Sequence, residues 1–224
     1  MKIKMSLTGL AKYVASSPAP QRKILQDHKF PASDEAFAMR VYYREATDIL
    51  KDFIDRQGSN EWLRQQALAL RAPRPEQTPK GAARLERNAA AVMCLDRYFG
   101  GRKLERLDCP RFRLAYSNVL ISVVPHLYVR DGSKMRLIKL QFGGKALPDQ
   151  AARVIVQCML EGTRSQGLDL PPSSVMYVDL PRSVVHTARA GKKTLNDIKA
   201  ACETISQIWD SIPPPAASKR KKVA

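Results

Sequence analysis

The spacing of apolar residues changes once along this chain, and that change limits the folds open to it. Over the first hundred residues the apolar positions recur at helical spacing, as Leu7, Leu10 and Val14 do. After residues 100–101, both glycine, the period becomes two, as in a strand with one buried face. A proline-rich connection over residues 72–80 interrupts the helical part. We therefore expect an α/β (α+β) chain with a helical N-terminal half, then a mixed central sheet flanked by helices.

Capping and turn residues predict where the individual elements begin and end. Ser6 is placed to cap a first helix, and Ser33 with Asp34 and Glu35 to begin a long helix that Gly58 ends. The other predicted helices cover residues 60–70, 81–99 and 149–162, with a last one that begins at Thr194. The predicted strands cover residues 103–107, 111–116, 119–129, 134–142 and 174–180, with 182–187 as a partner of the last.

Composition changes predict three regions along the chain. The first is a helical region over residues 1–71, and the second is an α/β core over residues 81–211. Pro213 to Pro215 end the core, and residues 212–224 are expected to form a disordered basic tail. No internal repeat is found.

Net charge is the strongest functional indication in this sequence. It contains 38 Lys+Arg against 21 Asp+Glu, which gives a formal charge of +17. The basic run at residues 219–222 supplies only four of these charges, so most of the excess lies in the body of the chain. Such a field attracts phosphate backbones and makes binding depend on salt. We expect DNA or RNA as the partner, with a basic surface that serves solubility alone as the alternative.

The cysteine and histidine spacings do not predict a metal site. Cys94, Cys109, Cys158 and Cys202 form no C-x-x-C pair, and the three histidines are as widely separated. There is no signal-like N-terminus and no apolar run of membrane-spanning length. We therefore expect a cytoplasmic protein with reduced thiols, no cofactor and no membrane partner.

One arrangement in the second half resembles a known enzyme family. A predicted strand, a tight turn at Asp131-Gly132 and a strand carrying Lys139 are followed by a helix that begins near Gln150. Together with the opening segment LTGLAKYVASSPAPQRKIL, this order resembles the PD-(D/E)XK nuclease superfamily, and within it the RecB-type exonuclease branch. The resemblance covers roughly residues 81–187 and implies a restriction-endonuclease-like core. In that family two acids and a lysine from neighbouring strands converge on one metal ion and its attacking water.

The acidic positions of the family are not acidic here. The first-acid position is His126 and the second is Leu137. Lys139 matches the family lysine, and Gln150 matches the glutamine of the following helix. The resemblance therefore implies a nuclease-like protein without its metal ligands, and no catalytic or metal-binding residue is assigned.

The lack of acids does not depend on the alignment. Between residues 109 and 148 the sequence has one carboxylate, Asp131 in the predicted turn, against seven Lys/Arg. A Mg²⁺ site requires oxygen ligands, normally one or two carboxylates beside the substrate phosphate. We therefore expect no ordinary hydrolytic activity from this region.

The predicted nucleic-acid contacts are polar or basic side chains of the strands, of the helix that follows them and of the loop before the last helix. They are Arg111, Arg113, Arg130, Arg136, Lys139, Gln150, Arg182, Arg189, Lys192 and Lys193. The last four approach a helix N-terminus, whose backbone N–H groups favour phosphate. The alternatives are a solvated lysine at 139, an ordinary first-turn glutamine at 150 and a solvated loop over residues 182–193.

The expected function is nucleic-acid binding or assembly by a nuclease-like fold that has lost catalysis, with protein partners in a nucleoprotein complex. A first alternative is a metal-dependent nuclease with a non-standard active site. Its candidate ligands are Asp131, Asp149, Glu161 and Asp179. A second alternative is an interaction module whose basic face docks an acidic protein. His126 and His186 could act as an acid/base pair only if they met in space.

Overall fold

The structure, a computed structural model, describes residues 2–31, 42–75, 78–189 and 191–215. Within these ranges seven α-helices flank two mixed sheets, which confirms the expected α/β class. The helices are α1 (Leu7–Val14), α2 (Pro18–Lys29), α3 (Arg44–Asp55), α4 (Asn60–Arg71), α5 (Pro79–Phe99), α6 (Asp149–Ser165) and α7 (Lys192–Ile208). The strands are β1 (Ile3–Ser6), β2 (Leu104–Leu107), β3 (Phe112–Tyr116), β4 (Val119–Val123), β5 (Leu127–Asp131), β6 (Lys134–Gln141), β7 (Val175–Asp179) and β8 (Val184–Thr187). None of the helices in the described ranges is long and apolar enough to cross a membrane.

The larger sheet has the strand order β2-β5-β6-β7-β8. All neighbouring strands are antiparallel except β6 and β7, which are parallel and joined through α6. Parallel strands end at the same edge of a sheet. The register places Lys139 beside Tyr177 and Gln141 beside Asp179 near that edge.

The smaller sheet has the order β1-β4-β3 and includes a strand that the sequence did not predict. Residues 3–6 lie in the region expected to be helical, but they form β1, which pairs in parallel with β4. The register joins Ile3 to Val119 and Ser6 to Ser122. The N-terminus is therefore held in a sheet with a hairpin more than a hundred residues away in sequence.

The larger sheet separates two hydrophobic clusters. Ile138 and Leu140 point to the cluster formed with α3, α4 and α5. Leu137, directly before Ile138 and on the opposite face, points to the cluster formed with α1, α6, α7 and the smaller sheet. Both the N-terminal helices and the later elements therefore contribute to cores on this sheet.

The single strand predicted over residues 119–129 is wrong, because the structure divides it into β4 and β5. The chain leaves the smaller sheet after Val123 and enters the larger one at Leu127. Pro125, between them, has no backbone N–H to donate to a ladder. The odd positions are buried in both strands, so the alternation passes through the break without a change of period.

Two helix ends also differ from the prediction. Gln57, not Gly58, adopts the left-handed conformation after α3, with φ 51°. The amide of the Gln57 side chain donates to Ile54 O, which stabilises this turn. The last helix begins at Lys192, two residues before Thr194, and Gly191 precedes it. The predicted helix start at residues 33–41 and the tail beyond residue 215 lie outside the described residues.

Candidate nucleic-acid interface

Lys139 lies near the carboxyl end of β6 with a partly buried side chain. Its Nζ donates to the carbonyl oxygen of Val124 over 2.7 Å and lies 3.5 Å from His126 Nε2. Burial lowers the pKa of Lys139 to about 8, because the charged ammonium loses hydration. Lys139 is therefore a positioned lysine and not a freely solvated one.

The imidazole of His126 is held in one orientation beside this ammonium. Its Nδ1 accepts a hydrogen bond of 2.8 Å from the backbone N–H of Leu140. The neutral ring therefore carries its proton on Nε2, which faces Lys139. Burial, followed by the charges of Lys139 and Lys51, lowers the pKa of His126 to about 3. His126 is neutral near pH 7, and its lone pair is already occupied.

The two histidines are not brought together as an acid/base pair. His186 lies on β8 beside Tyr177 of β7, whereas His126 contacts Leu140 of β6. β7 lies between β6 and β8, and neighbouring strands are about 4.8 Å apart. The structure thus gives no support to proton transfer between these histidines.

The charges of three cations act on Cys109. Burial raises the pKa of the Cys109 thiol to about 11, although Lys139, Arg111 and Lys51 each favour the thiolate. These three side chains come from β6, from the residues before β3 and from α3. Among the described residues, no carboxylate contributes to the pKa shifts of Lys139, His126 or Cys109, although Lys51 itself pairs with Asp48 at 3.3 Å. We call Lys51, Arg111 and Lys139, with the neutral His126, the cation cluster.

The carboxylates considered as metal ligands lie apart from one another. Asp131 ends β5 beside Lys134, the first residue of β6, and Arg136 contacts it at 2.7 Å. Glu161 pairs with Arg164 on α6, and Asp149 is exposed at the start of that helix. Among the residues that the structure describes, no group of three or more His, Cys, Asp or Glu is arranged to hold a metal ion.

Asp179 lies on β7 two residues beyond Tyr177, the register partner of Lys139, and it has a cationic partner. Its buried carboxylate accepts two hydrogen bonds from Arg182, at 3.1 and 2.9 Å. Arg182 also donates to the carbonyl oxygen of Gly144 over 2.9 Å. This pair fixes the loop between β6 and α6 to the end of β7.

The ten predicted contact residues do not form one surface. Arg111 and Lys139 meet at the cation cluster, whereas Arg136 lies three residues before Lys139 and faces the opposite side of the sheet. Arg130 pairs with Glu105, as Arg136 does with Asp131. Arg113, Gln150, Arg189, Lys192 and Lys193 are exposed.

The region predicted over residues 182–193 is divided between the two ends of β7. Arg182 follows β7 at its carboxyl end. Ala188 bonds to Val175 at the amino end, and Arg189 comes directly after it. Lys192 and Lys193 begin α7 on that side. Arg182 is thus separated from the other three cations by the length of β8.

Sequence reasoning missed two members of the cation cluster. Lys51 was predicted only to lie within a helix, and His126 was considered only as the position of a family acid and as an acid/base partner of His186. The match of position 126 to a family acid was the one signal in the sequence that pointed to this place. Nothing in the sequence connects Lys51 with Lys139, because their proximity arises from the packing of α3 on the sheet.

Comparison with known proteins adds no family assignment. No protein-family model matches the chain. No curated protein matches it either. The PD-(D/E)XK resemblance stays a prediction that rests on the residues quoted above.

Proposed function

We propose that the protein binds nucleic acid through phosphate contacts, on a nuclease-like fold that has lost catalysis. The observation that carries the proposal is the cation cluster, in which the Lys139 ammonium donates to the carbonyl oxygen of Val124 beside the neutral His126. Lys51 and Arg111 add positive charge there, since both act on Cys109 together with Lys139. Lys51 pairs with Asp48, but Arg111 and Lys139 have no ion pair within the described residues. A phosphate oxygen is the group that such a cluster lacks. The four free thiols support a cytoplasmic location as part of the proposal.

The topology around Lys139 supports the nuclease-like part of the proposal. An antiparallel pair β5–β6, then α6, then β7 parallel to β6 is the order that the PD-(D/E)XK resemblance implies. Ligands of open α/β sheets bind beyond the carboxyl ends of the strands. Lys139 lies near that end of β6, where Leu137 replaces a family acid and is fully buried in the core.

The protonation states at the cluster favour an anion over a metal ion. A metal ion would be repelled by the Lys139 ammonium and would find the Nδ1 of His126 already hydrogen-bonded. An anion would instead supply the counter-charge that the partly buried ammonium lacks, and would raise the pKa of Lys139 back towards its usual value. Binding of an anion should therefore raise the fraction of Lys139 that is protonated.

A substitution at Lys139 tests the proposal. Lys139→Met keeps the length of the side chain and removes its charge, so we expect about a tenfold loss of affinity for labelled oligonucleotides. The magnitude of the slope of log K against log salt should fall by roughly 0.7 to 0.9, the value for one phosphate contact. Lys23→Met is the matched control, because Lys23 is exposed on α2 and pairs with Asp27.

Two further assays separate the alternatives. Incubation with labelled nucleic acid and Mg²⁺ or Mn²⁺ should give no cleavage, and cleavage that disappears in Lys139→Ala would overturn the loss of catalysis. Polyglutamate of matched charge should compete weakly. If it binds as well as an oligonucleotide and depends equally on Lys139, an acidic protein partner is the better assignment.

A further inference from the structure

The outer face of the smaller sheet is a second cationic surface. Burial alternates along its three strands, so one face packs on the core and the other meets solvent. The outward positions are Lys4 and Ser6 of β1, Leu120 and Ser122 of β4, and Arg113 and Ala115 of β3. We call these six residues the sheet face.

The sheet face is built from two stretches of sequence that contain no acid. Residues 1–26 have no Asp or Glu, and neither do residues 109–130. The parallel pairing of β1 with β4 joins these two stretches in one sheet. Lys4 and Arg113 have no ion pair within the part of the chain that the structure describes.

The cations follow a diagonal line across this face. Ser6, Ser122 and Arg113 form one cross-strand row, and Lys4, Leu120 and Ala115 form the next. Lys2 extends the line before β1, and Arg111 extends it before β3 at the opposite end. Five strand residues cover about 17 Å, and three strands are about 10 Å wide.

The diagonal leads into the cation cluster. Arg111 belongs to both, since its charge acts on Cys109 together with that of Lys139. Val124, directly after β4, accepts the hydrogen bond of the Lys139 ammonium. The two surfaces are therefore continuous at the Val123 end of the smaller sheet.

The side chains between the cations indicate how a ligand would lie. Ser6, Ser122 and Ala115 are short, so a nucleic-acid backbone could approach the strands closely. The sheet face has no aromatic residue, and so it offers no stacking surface for bases. Contacts here would be made to phosphate and would carry little base preference.

We propose that the sheet face is a phosphate track on which a single nucleic-acid strand continues from the cation cluster, through Arg111 and Arg113 to Lys4. This inference rests on the proposed function and extends it. A single strand fits because the path turns from an exposed sheet to the partly buried Lys139. A duplex, with a persistence length of about 150 base pairs, resists bending over so short a distance.

The test is a double variant, Lys4→Gln with Arg113→Gln, titrated with labelled oligothymidylates of increasing length. Short oligomers that occupy the cation cluster alone should bind the double variant as they bind the wild type. Longer oligomers should lose about tenfold, and their salt slope should fall by roughly 1.4, the value for two single-strand contacts. A duplex should lose less than the long single strand.

The control removes the same charge elsewhere. Arg44→Gln with Lys23→Gln replaces two exposed cations of helices, each of which has a carboxylate partner. This variant should bind every oligomer as the wild type does, and thermal unfolding checks that both double variants are folded.

The outcomes separate the two proposals. If Lys139→Met weakens binding and the sheet-face variant does not at any length, the track is wrong and the proposed function stands. If neither variant weakens binding, the proposed function fails as well. An equal loss for duplex and single strand would overturn the assignment to a single strand.

Discussion

At the scale of single residues, Lys139 lies where burial disfavours its charged form. Among the residues that the structure describes, the ammonium of Lys139 has one good acceptor, the carbonyl oxygen of Val124, and no carboxylate partner. The motif resemblance predicted the position of this lysine but not its surroundings. Its neighbours Cys109, His126 and Lys51 come from other elements, and no local pattern in the sequence encodes such a meeting.

Lys139 should make the stability of the protein depend on alkaline pH. Its pKa is about 8 in the folded state and near 10.5 when unfolded, so the unfolded state binds more protons between these values. Stability should therefore rise with pH through that window relative to Lys139→Met. Because a tenfold change in a proton-binding constant corresponds to about 1.4 kcal/mol, we expect a rise of about 1 to 3 kcal/mol.

Urea unfolding of both proteins at pH 7 and pH 10 measures this difference, and the other titrating groups cancel between them. A difference in unfolding free energy that stays constant with pH would contradict the burial of the Lys139 charge.

Lys29 is a second residue whose role is visible only in the structure. Its Nζ donates to the carbonyl oxygens of Trp209, Asp210 and Ile212, at 2.7, 3.2 and 3.1 Å. Lys29→Met leaves these carbonyl oxygens without the ammonium and should lower the free energy of unfolding by about 1 to 3 kcal/mol. Lys23→Met, which removes an exposed ion pair, should cost less than about 0.5 kcal/mol. Equal effects in urea unfolding would show that the Lys29 contacts are not formed.

At the scale of elements, hydrophobic period predicted most helices and strands but not which sheet a strand joins. The break at Pro125 is the clearest case, since β4 and β5 bury the same parity of positions on different sheets. β1 was missed because four residues are too few to show a period. Its existence depends on pairing with β4, which is a contact between distant parts of the chain.

The packing of α6 on the smaller sheet depends on Gly162. A Cβ at this position would lie 2.6 Å from ring atoms of Phe112 on β3, closer than side chains tolerate. Gly162→Ala should therefore lower the free energy of unfolding by about 1 to 3 kcal/mol, even though alanine is the better helix former. Gly191→Ala is the control, because a Cβ there would meet nothing within 4 Å. If Gly162→Ala is as stable as the control in thermal unfolding, this close approach is not present.

At the scale of the whole molecule, the distribution of charge matters more than its total. The composition predicted a polyanion partner but could not say where it would bind, because a net charge of +17 does not show where on the surface the charges lie. The fold distributes the acids unevenly. In the part of the chain that the structure describes, seven of thirteen ion pairs have both partners within residues 44–106, on α3, α4, α5 and β2. The two acid-free stretches, residues 1–26 and 109–130, meet in the smaller sheet, where β1 pairs with β4.

One titration tests the central claim most directly: oligonucleotide affinity between about 50 and 200 mM salt, once with EDTA and once with Mg²⁺. We predict that log K falls linearly with log salt and that EDTA does not weaken binding, because the cations of the protein make the contacts. An affinity that does not change with salt concentration would contradict phosphate binding. Binding that appears only when Mg²⁺ is present would contradict a cluster that binds without a metal ion.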